Sequence, residues 1–162
     1  DSPGFGTSMT SIPVLGWREA VGLPEFGLSG IPAKIDTGAR TSALHATHIE
    51  IVERDGVVHA RFRIDLGHGH ETALCEACHV SRRKITSSNG QSEERLVVTT
   101  RLSLGVALFD AEFSLTDRSD MVHPVLIGRT ALRKRFLVDP SRTFLISERS
   151  ALLYQNPGSN GA

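Results

Sequence analysis

Alternation of apolar and polar side chains, sustained over several segments, is the property that most limits how this chain can fold. In "HARFRIDLG" the apolar Ala60, Phe62, Ile64 and Leu66 alternate with Arg61, Arg63 and Asp65, and a period of two places each set on one face of a strand. The same reading groups Leu96, Val98, Leu102 and Leu104 in "ERLVVTTRLSLG", and Phe109, Ala111, Phe113 and Leu115 in "ALFDAEFSL". Gly105 marks the turn between those two strands. Asp55-Gly56 predicts a hairpin joining "HIEIVER" to "VVHARFRI", because a two-residue hairpin turn needs residues that tolerate positive φ. Further strands are expected in "IPVLGWREAVGL", "IPAKID", "SALHATHIEIVE", "PVLIG" and "FLVD", with Gly27, Gly30 and Pro32 separating the first two. Only "RTALRKRF", residues 129–136, reads as helix, its Arg133, Lys134 and Arg135 lying where cations complement the helix dipole. Many short strands, regular turns and one late helix make an all-β barrel or sandwich, without repeats or an internal linker.

A chain of 162 residues has the size of one domain, expected here over residues 9–154. The opening "DSPGFGTS", residues 1–8, has the composition of an added leader, and residues 155–162 that of a disordered tail. Lys plus Arg equals Asp plus Glu at 18 each, which removes any long-range attraction to nucleic acid or an anionic membrane. The triplet Arg82-Arg83-Lys84 is then a solvated strand end. No run approaches the ~18 apolar residues of a membrane span, and no signal segment is visible. The expectation is a cytoplasmic protein, or a periplasmic one if a signal peptide has been removed.

Two cysteines, Cys75 and Cys78, are too few for a disulfide framework. They lie in "HGHETALCEACHVS" beside His68, His70 and His79, and Cys-x-x-Cys with imidazoles has the ligand types of tetrahedral zinc. On an extended strand Cys75 and Cys78 would face opposite sides, so the segment is expected to be a solvated loop with no metal or other cofactor. Cys75, Cys78 and His79 are the residues a zinc ion would use. Neither His45, His48, His59 nor His123 has metal-ligand spacing, and Trp17 and the phenylalanines are expected in the core.

One tripeptide asks for chemistry. In "AKIDTGA" a strand ends on Asp36-Thr37-Gly38: the glycine allows a sharp turn and a close backbone approach, and the threonine hydroxyl can lock a loop by hydrogen bonding. Far downstream "PVLIGRTAL" sets Leu126 and Ile127 before Gly128, Arg129 and a helix. This pairing resembles the retropepsin-like aspartic proteases, in which an apolar-Asp-Thr-Gly-Ala loop is buttressed by an apolar-apolar-Gly segment. The longer stretches "LGWREAVGLPEFG", "AKIDTGARTSALHA", "RRKITSSNGQSEERLVV" and "HPVLIGRTALRKRFLVDPSRTFL" are similar to one bacterial branch, the RimB-like proteins. These are also labelled putative ATP-dependent zinc proteases. That label has no support in the residues, since the chain contains neither a Gly-x-x-x-x-Gly-Lys phosphate loop nor a His-Glu-x-x-His zinc helix.

The resemblance implies a retropepsin-like closed barrel and peptide-bond hydrolysis by a water held between two carboxylates. With one Asp-Thr-Gly per chain, it implies a homodimer in which Asp36 of each subunit meets across a twofold axis. Thr37 and Gly38 complete the catalytic loop. A flap over the site falls on "KITSSNGQSEERLVV", with Ser87, Ser88, Asn89 and Gly90 at its tip. Ala39, Arg40 and Arg129 join the flap as substrate-binding residues. Retroviral members carry an acid where this chain has Arg40, so Arg129 needs another partner: Asp139, Glu148, or an acidic substrate. Two further readings stand beside this one, a non-catalytic module that binds a peptide or protein partner, and a zinc-stabilised interaction module built on Cys75 and Cys78.

Overall fold

The computed structural model describes residues 11–86, 89–117 and 122–153. Ser87, Ser88, the leader 1–8 and the tail 155–162 lie outside the described residues. The chain folds as β1 (Val14–Gly16), β2 (Arg18–Leu23), β3 (Leu28–Ile35), β4 (Ser42–Arg54), β5 (Val57–Gly67), β6 (His70–Glu71), β7 (Cys75–Ala77), β8 (Val80–Thr86), β9 (Ser92–Leu104), β10 (Ala107–Thr116), β11 (Val125–Ile127), α1 (Arg129–Leu132) and β12 (Leu137–Asp139). Six of these strands close on themselves in the order β2-β3-β11-β4-β10-β9. The closing contacts are a parallel run from Phe113↔Ser42 to Thr116↔His45 and the pairing of Gly22 with Ser103. This ring is the all-β architecture that the alternation predicts, and it agrees with the retropepsin-like fold that the resemblance implies.

Alternation and burial agree where the ring needs them to. Ala60, Phe62, Ile64 and Leu66 of β5 and Ala111, Phe113 and Leu115 of β10 are buried, as are Leu15, Leu23, Ile31, Leu44, Leu102, Leu104 and Ile127. Together they form one apolar cluster. At the β4–β5 turn Asp55 and Gly56 have φ of 52° and 78°, the two positive values that a tight hairpin of matching twist requires.

Five expectations are corrected. "IPVLGWREAVGL" is two strands: at Trp17 the chain leaves β1, which pairs in parallel with β12, and enters the ring as β2. The break is fixed by Trp17 N–H donating to Arg142 O at 2.8 Å and Gly16 N–H donating to the Glu19 carboxylate at 2.7 Å. Trp17 itself is 37% exposed, edge-on to His123, and is not a core residue. Gly30 and Pro32 do not separate strands but lie inside β3, because Gly30 takes a φ of 70° and gives its side-chain space to the Ala151 carbonyl, which a Cβ would meet at 2.1 Å. The helix ends at Leu132, since Arg133 has left helical geometry and Lys134 has a φ of 69°, a turn that buries Phe136 and delivers Leu137 to β12. The cysteine segment is not all loop: β6 and β7 both pair with β5.

A buried carboxylate fastens the C-terminal segment to this frame. Glu19, 0% exposed, accepts from the backbone N–H groups of Gly16, Leu145, Ile146 and Ser147 and from the Ser147 hydroxyl. Ser147 Oγ in turn accepts from Ala20 N–H at 2.8 Å. No helix among the described residues is long and apolar enough to cross a membrane.

Candidate active site

β3 ends at Ile35 and the chain turns through Asp36-Thr37-Gly38 before β4 begins at Ser42. β11 slots between these two strands, parallel to β3 and antiparallel to β4, which brings Ile127-Gly128-Arg129 directly beneath the turn. Backbone hydrogen bonds then clamp the two segments together. Asp36 N–H donates to Ile127 O at 2.8 Å, Arg129 N–H to Ala39 O at 2.8 Å and Thr130 N–H to Arg40 O at 3.1 Å. Inside the turn Ala39 N–H reaches Asp36 O at 3.2 Å, and Gly38 N–H donates to Asp36 Oδ1 at 3.0 Å. Asp36 is half-buried while Thr37 and Gly38 are exposed, so one edge of the carboxylate is held by the loop and the loop's tip faces outward.

Gly128 is required by this packing. A Cβ there would lie 2.7 Å from Thr41 C, 2.8 Å from Thr41 O and 2.9 Å from Arg40 O, contacts that rigid backbone does not accommodate. Its N–H donates to the buried Ser42 hydroxyl at 3.0 Å, and Ser114 Oγ donates weakly to Ser42 O at 3.4 Å. Ser42 is a positioning residue that the sequence reading missed. Serine is common in turns, and only the placement of β11 reveals that its hydroxyl accepts from the glycine.

Beside the loop opens a cleft of about 630 Å³ with Thr37, Arg40, Arg129 and Arg133 on its walls and Leu132 and Phe136 at its base. The Arg129 guanidinium donates to Thr37 O at 3.0 Å. Neither proposed protein partner holds it: among the described residues no ion pair joins Arg129 to Asp139 or Glu148. Asp139 instead accepts from Ser141 N–H and Oγ, bonds that hold its carboxyl below the usual range, with Arg142 adding a smaller attraction. Arg133 and the apolar base were not anticipated as site residues, because "RKRF" carries no signal that separates a cleft wall from an ordinary solvated helix end.

The structure thus brings Asp36, Thr37, Gly38, Ala39, Arg40 and Arg129 together. Asn89 and Gly90 lie elsewhere, exposed at the end of the β8–β9 hairpin, whose last paired residues are Thr86 and Ser92. Gly90 has a φ of 84°, and Gln91 N–H donates to Asn89 Oδ1 at 3.1 Å, so the turn predicted there is present. Cys75 is buried, its Sγ 3.6 Å from both the Thr72 hydroxyl and Ala73 O, whereas Cys78 is exposed. Burial raises the Cys75 thiol pKa, with the Thr72 contact opposing weakly. Among the described residues no three His, Cys, Asp or Glu side chains are grouped to hold a metal ion.

Residues 14–149 match the family described as RimB-like, retropepsin-like aspartic endopeptidase RimB. The chain belongs to this family. A probable alpha-L-glutamate ligase of Shewanella pealeana is 37% identical over 141 residues, 86% of this chain and 31% of the relative. One from Desulfotalea psychrophila is 34% identical over 139 residues, 85% of this chain and 30% of the relative. The chain therefore spans about a third of the length of these curated relatives. A solved structure of a Legionella pneumophila protein of unknown function superposes with a TM-score of 0.71 at 28% identity, covering 85% of this chain and all of that one.

Proposed function

We propose that this protein is an aspartic endopeptidase whose site is completed by a second copy of the chain, Asp36 of each subunit meeting across a twofold axis. The clamp between Asp36-Thr37-Gly38 and Ile127-Gly128-Arg129 carries this reading. It fixes the carboxylate with its backbone and leaves Thr37 outward, available to hydrogen-bond its counterpart. Two carboxylates about 3 Å apart cannot both ionise, so they share one proton. The ionised partner takes a proton from the water as its oxygen attacks the scissile carbonyl carbon, while the protonated partner donates to the carbonyl oxygen. Collapse of the tetrahedral intermediate breaks the C–N bond, and the leaving nitrogen takes a proton from the dyad. The β8–β9 hairpin, with Ser87, Ser88, Asn89 and Gly90, would close over the substrate and exclude water.

The arginines beside the loop favour acidic side chains. Arg40 stands four residues beyond Asp36, and Arg129 and Arg133 line the same cleft. A guanidinium binds a carboxylate in a bidentate fork. The names of the curated relatives, glutamate ligases, point the same way, toward glutamate-rich segments as substrates.

The test is digestion of a diverse peptide mixture read by mass spectrometry from acidic to neutral pH, wild type against Asp36→Asn at matched high protein concentration. Cuts made by the wild type and missing from the variant, enriched beside Glu or Asp, are the expected result. Identical patterns, or no cuts at any concentration, would refute it and favour a module that only binds peptides.

A further inference from the structure

Ion pairs crowd the β4–β10 part of the fold: His45–Asp65, Arg54 and His59 with Glu76, Arg61–Glu50, Arg82–Glu94, Arg83–Glu112, Arg95–Glu93 and Arg101–Asp110. The face that carries Asp36 takes no part in this pairing. Arg40, Arg129 and Arg133 line the cleft without an acidic partner among the described residues. Arg129 and Arg133 are one helical turn apart, Arg133 N–H donating to Arg129 O at 2.9 Å, a spacing at which like charges disfavour each other. The chain is neutral as a whole, yet this face is cationic.

A twofold that brings two Asp36 carboxylates together sets the arginine cleft of each copy beside the interface, because the cleft includes Thr37 of the same loop. Arg129 donates to the carbonyl of Thr37, the residue next to Asp36, which holds its guanidinium beside the loop. Each copy contributes three arginines, against one net negative charge on a proton-sharing dyad. Like charges set opposite one another across an interface oppose association, and at physiological ionic strength charges closer than a Debye length of about 8 Å are only partly screened.

Resting on the dimeric reading above, we propose that an acidic peptide is a structural part of the assembled dimer: its carboxylates bridge the arginines of the two copies, and the bare chains associate weakly without it. Ligand and second copy then bind with reciprocal coupling. The site is assembled where a glutamate-rich segment is present and is dispersed elsewhere, which limits cleavage of neutral chains.

Sedimentation velocity on Asp36→Asn, which leaves the peptide intact, measures the dimer Kd with hexaglutamate, with a neutral Gly/Ser hexapeptide, and with free glutamate at the same total carboxylate concentration. The expected result is at least a tenfold tightening by hexaglutamate and little change from the other two. Arg133→Gln should dimerise more tightly alone and respond less to hexaglutamate. Where that variant is poorly folded, Arg40→Gln on the exposed loop makes the same test. A Kd that hexaglutamate leaves unchanged, or that free glutamate shifts equally, overturns the bridging. If wild type still shows Asp36-dependent cleavage in that case, the peptidase reading stands and only this inference falls. A chain that stays monomeric throughout and cuts nothing overturns the reading itself.

Discussion

Replacing Glu19 by Gln alters one atom and one charge in the most heavily bonded carboxylate of the fold, and the structure sets the cost. Oε2 accepts from Gly16 N–H at 2.7 Å and Leu145 N–H at 2.9 Å, and Oε1 from Ser147 N–H at 3.1 Å and its hydroxyl at 2.7 Å. An amide NH₂ has no acceptor to offer. Placed at the Oε2 position it leaves two backbone donors facing a donor, and at the Oε1 position it confronts Ser147 N–H and a hydroxyl already accepting from Ala20. With Glu19 0% exposed, water cannot relieve either orientation. A buried donor left unsatisfied costs about 1–3 kcal/mol, so two give a loss of about 4 kcal/mol. At about 2–4 °C per kcal/mol for a chain of this size, Tm falls by roughly 8–16 °C. Urea unfolding with an unchanged m-value is the assay. Glu112→Gln, which weakens only a partly exposed pair with Arg83, serves as control and should cost under about 1 kcal/mol. A Glu19→Gln protein within about 0.5 kcal/mol of wild type would refute the view that this carboxylate holds residues 145–147 to the ring.

Gly128→Ala should separate site from frame: with backbone atoms 2.7–2.9 Å from the new methyl, stability falls by about 2 kcal/mol or more, and peptide cleavage is lost even at temperatures where circular dichroism shows a folded sheet. Acidification should destabilise the protein from about pH 6.5 downward. His123 is held below its ordinary pKa by burial first, then by Arg18 and Lys34, so the unfolded chain takes up the proton first and stability declines until the folded-state pKa is passed. His123→Gln should flatten that part of a pH series of melting temperatures. Thiol labelling in the native state should be biphasic, one rapid equivalent at exposed Cys78 and one slow equivalent at Cys75, buried and with a raised pKa; two equal rates would contradict the placement of β7.

The strands were legible because the ring buries one face of each and the pleat writes that face into the sequence every second residue, as in β5 and β10. Asp36, Gly128 and Arg129 were legible because the turn and its buttress are short, contiguous motifs. What escaped depends on contacts between segments far apart in the chain. Glu19 is one charged residue among many until residues 145–147 arrive to donate to it. Gly30 reads as a break until the carbonyl of Ala151 is seen filling its side-chain space. Ser42 is one serine among many until β11 lays Gly128 N–H against its hydroxyl. The arginine cleft was half visible, because Arg40 replaces the family's acid and so leaves Arg129 in need of a partner, whereas nothing marked Arg133.

The position of β11 has a consequence for synthesis. β3 and β4 are made early yet do not pair with one another there; the three-residue strand Val125–Ile127 must be inserted between them. A nascent chain emerging from the ribosome therefore holds an open gap flanked by two unpaired strand edges until almost the entire ring has been translated. Such edges invite pairing with other chains, so release of a truncated product ending before Val125 would favour aggregation over a partly folded intermediate. The same order of events delays the candidate site: the Asp-Thr-Gly turn has no backbone partners from Ile127 and Arg129 until that late segment docks, so under the proposed function an unfinished chain has no assembled site.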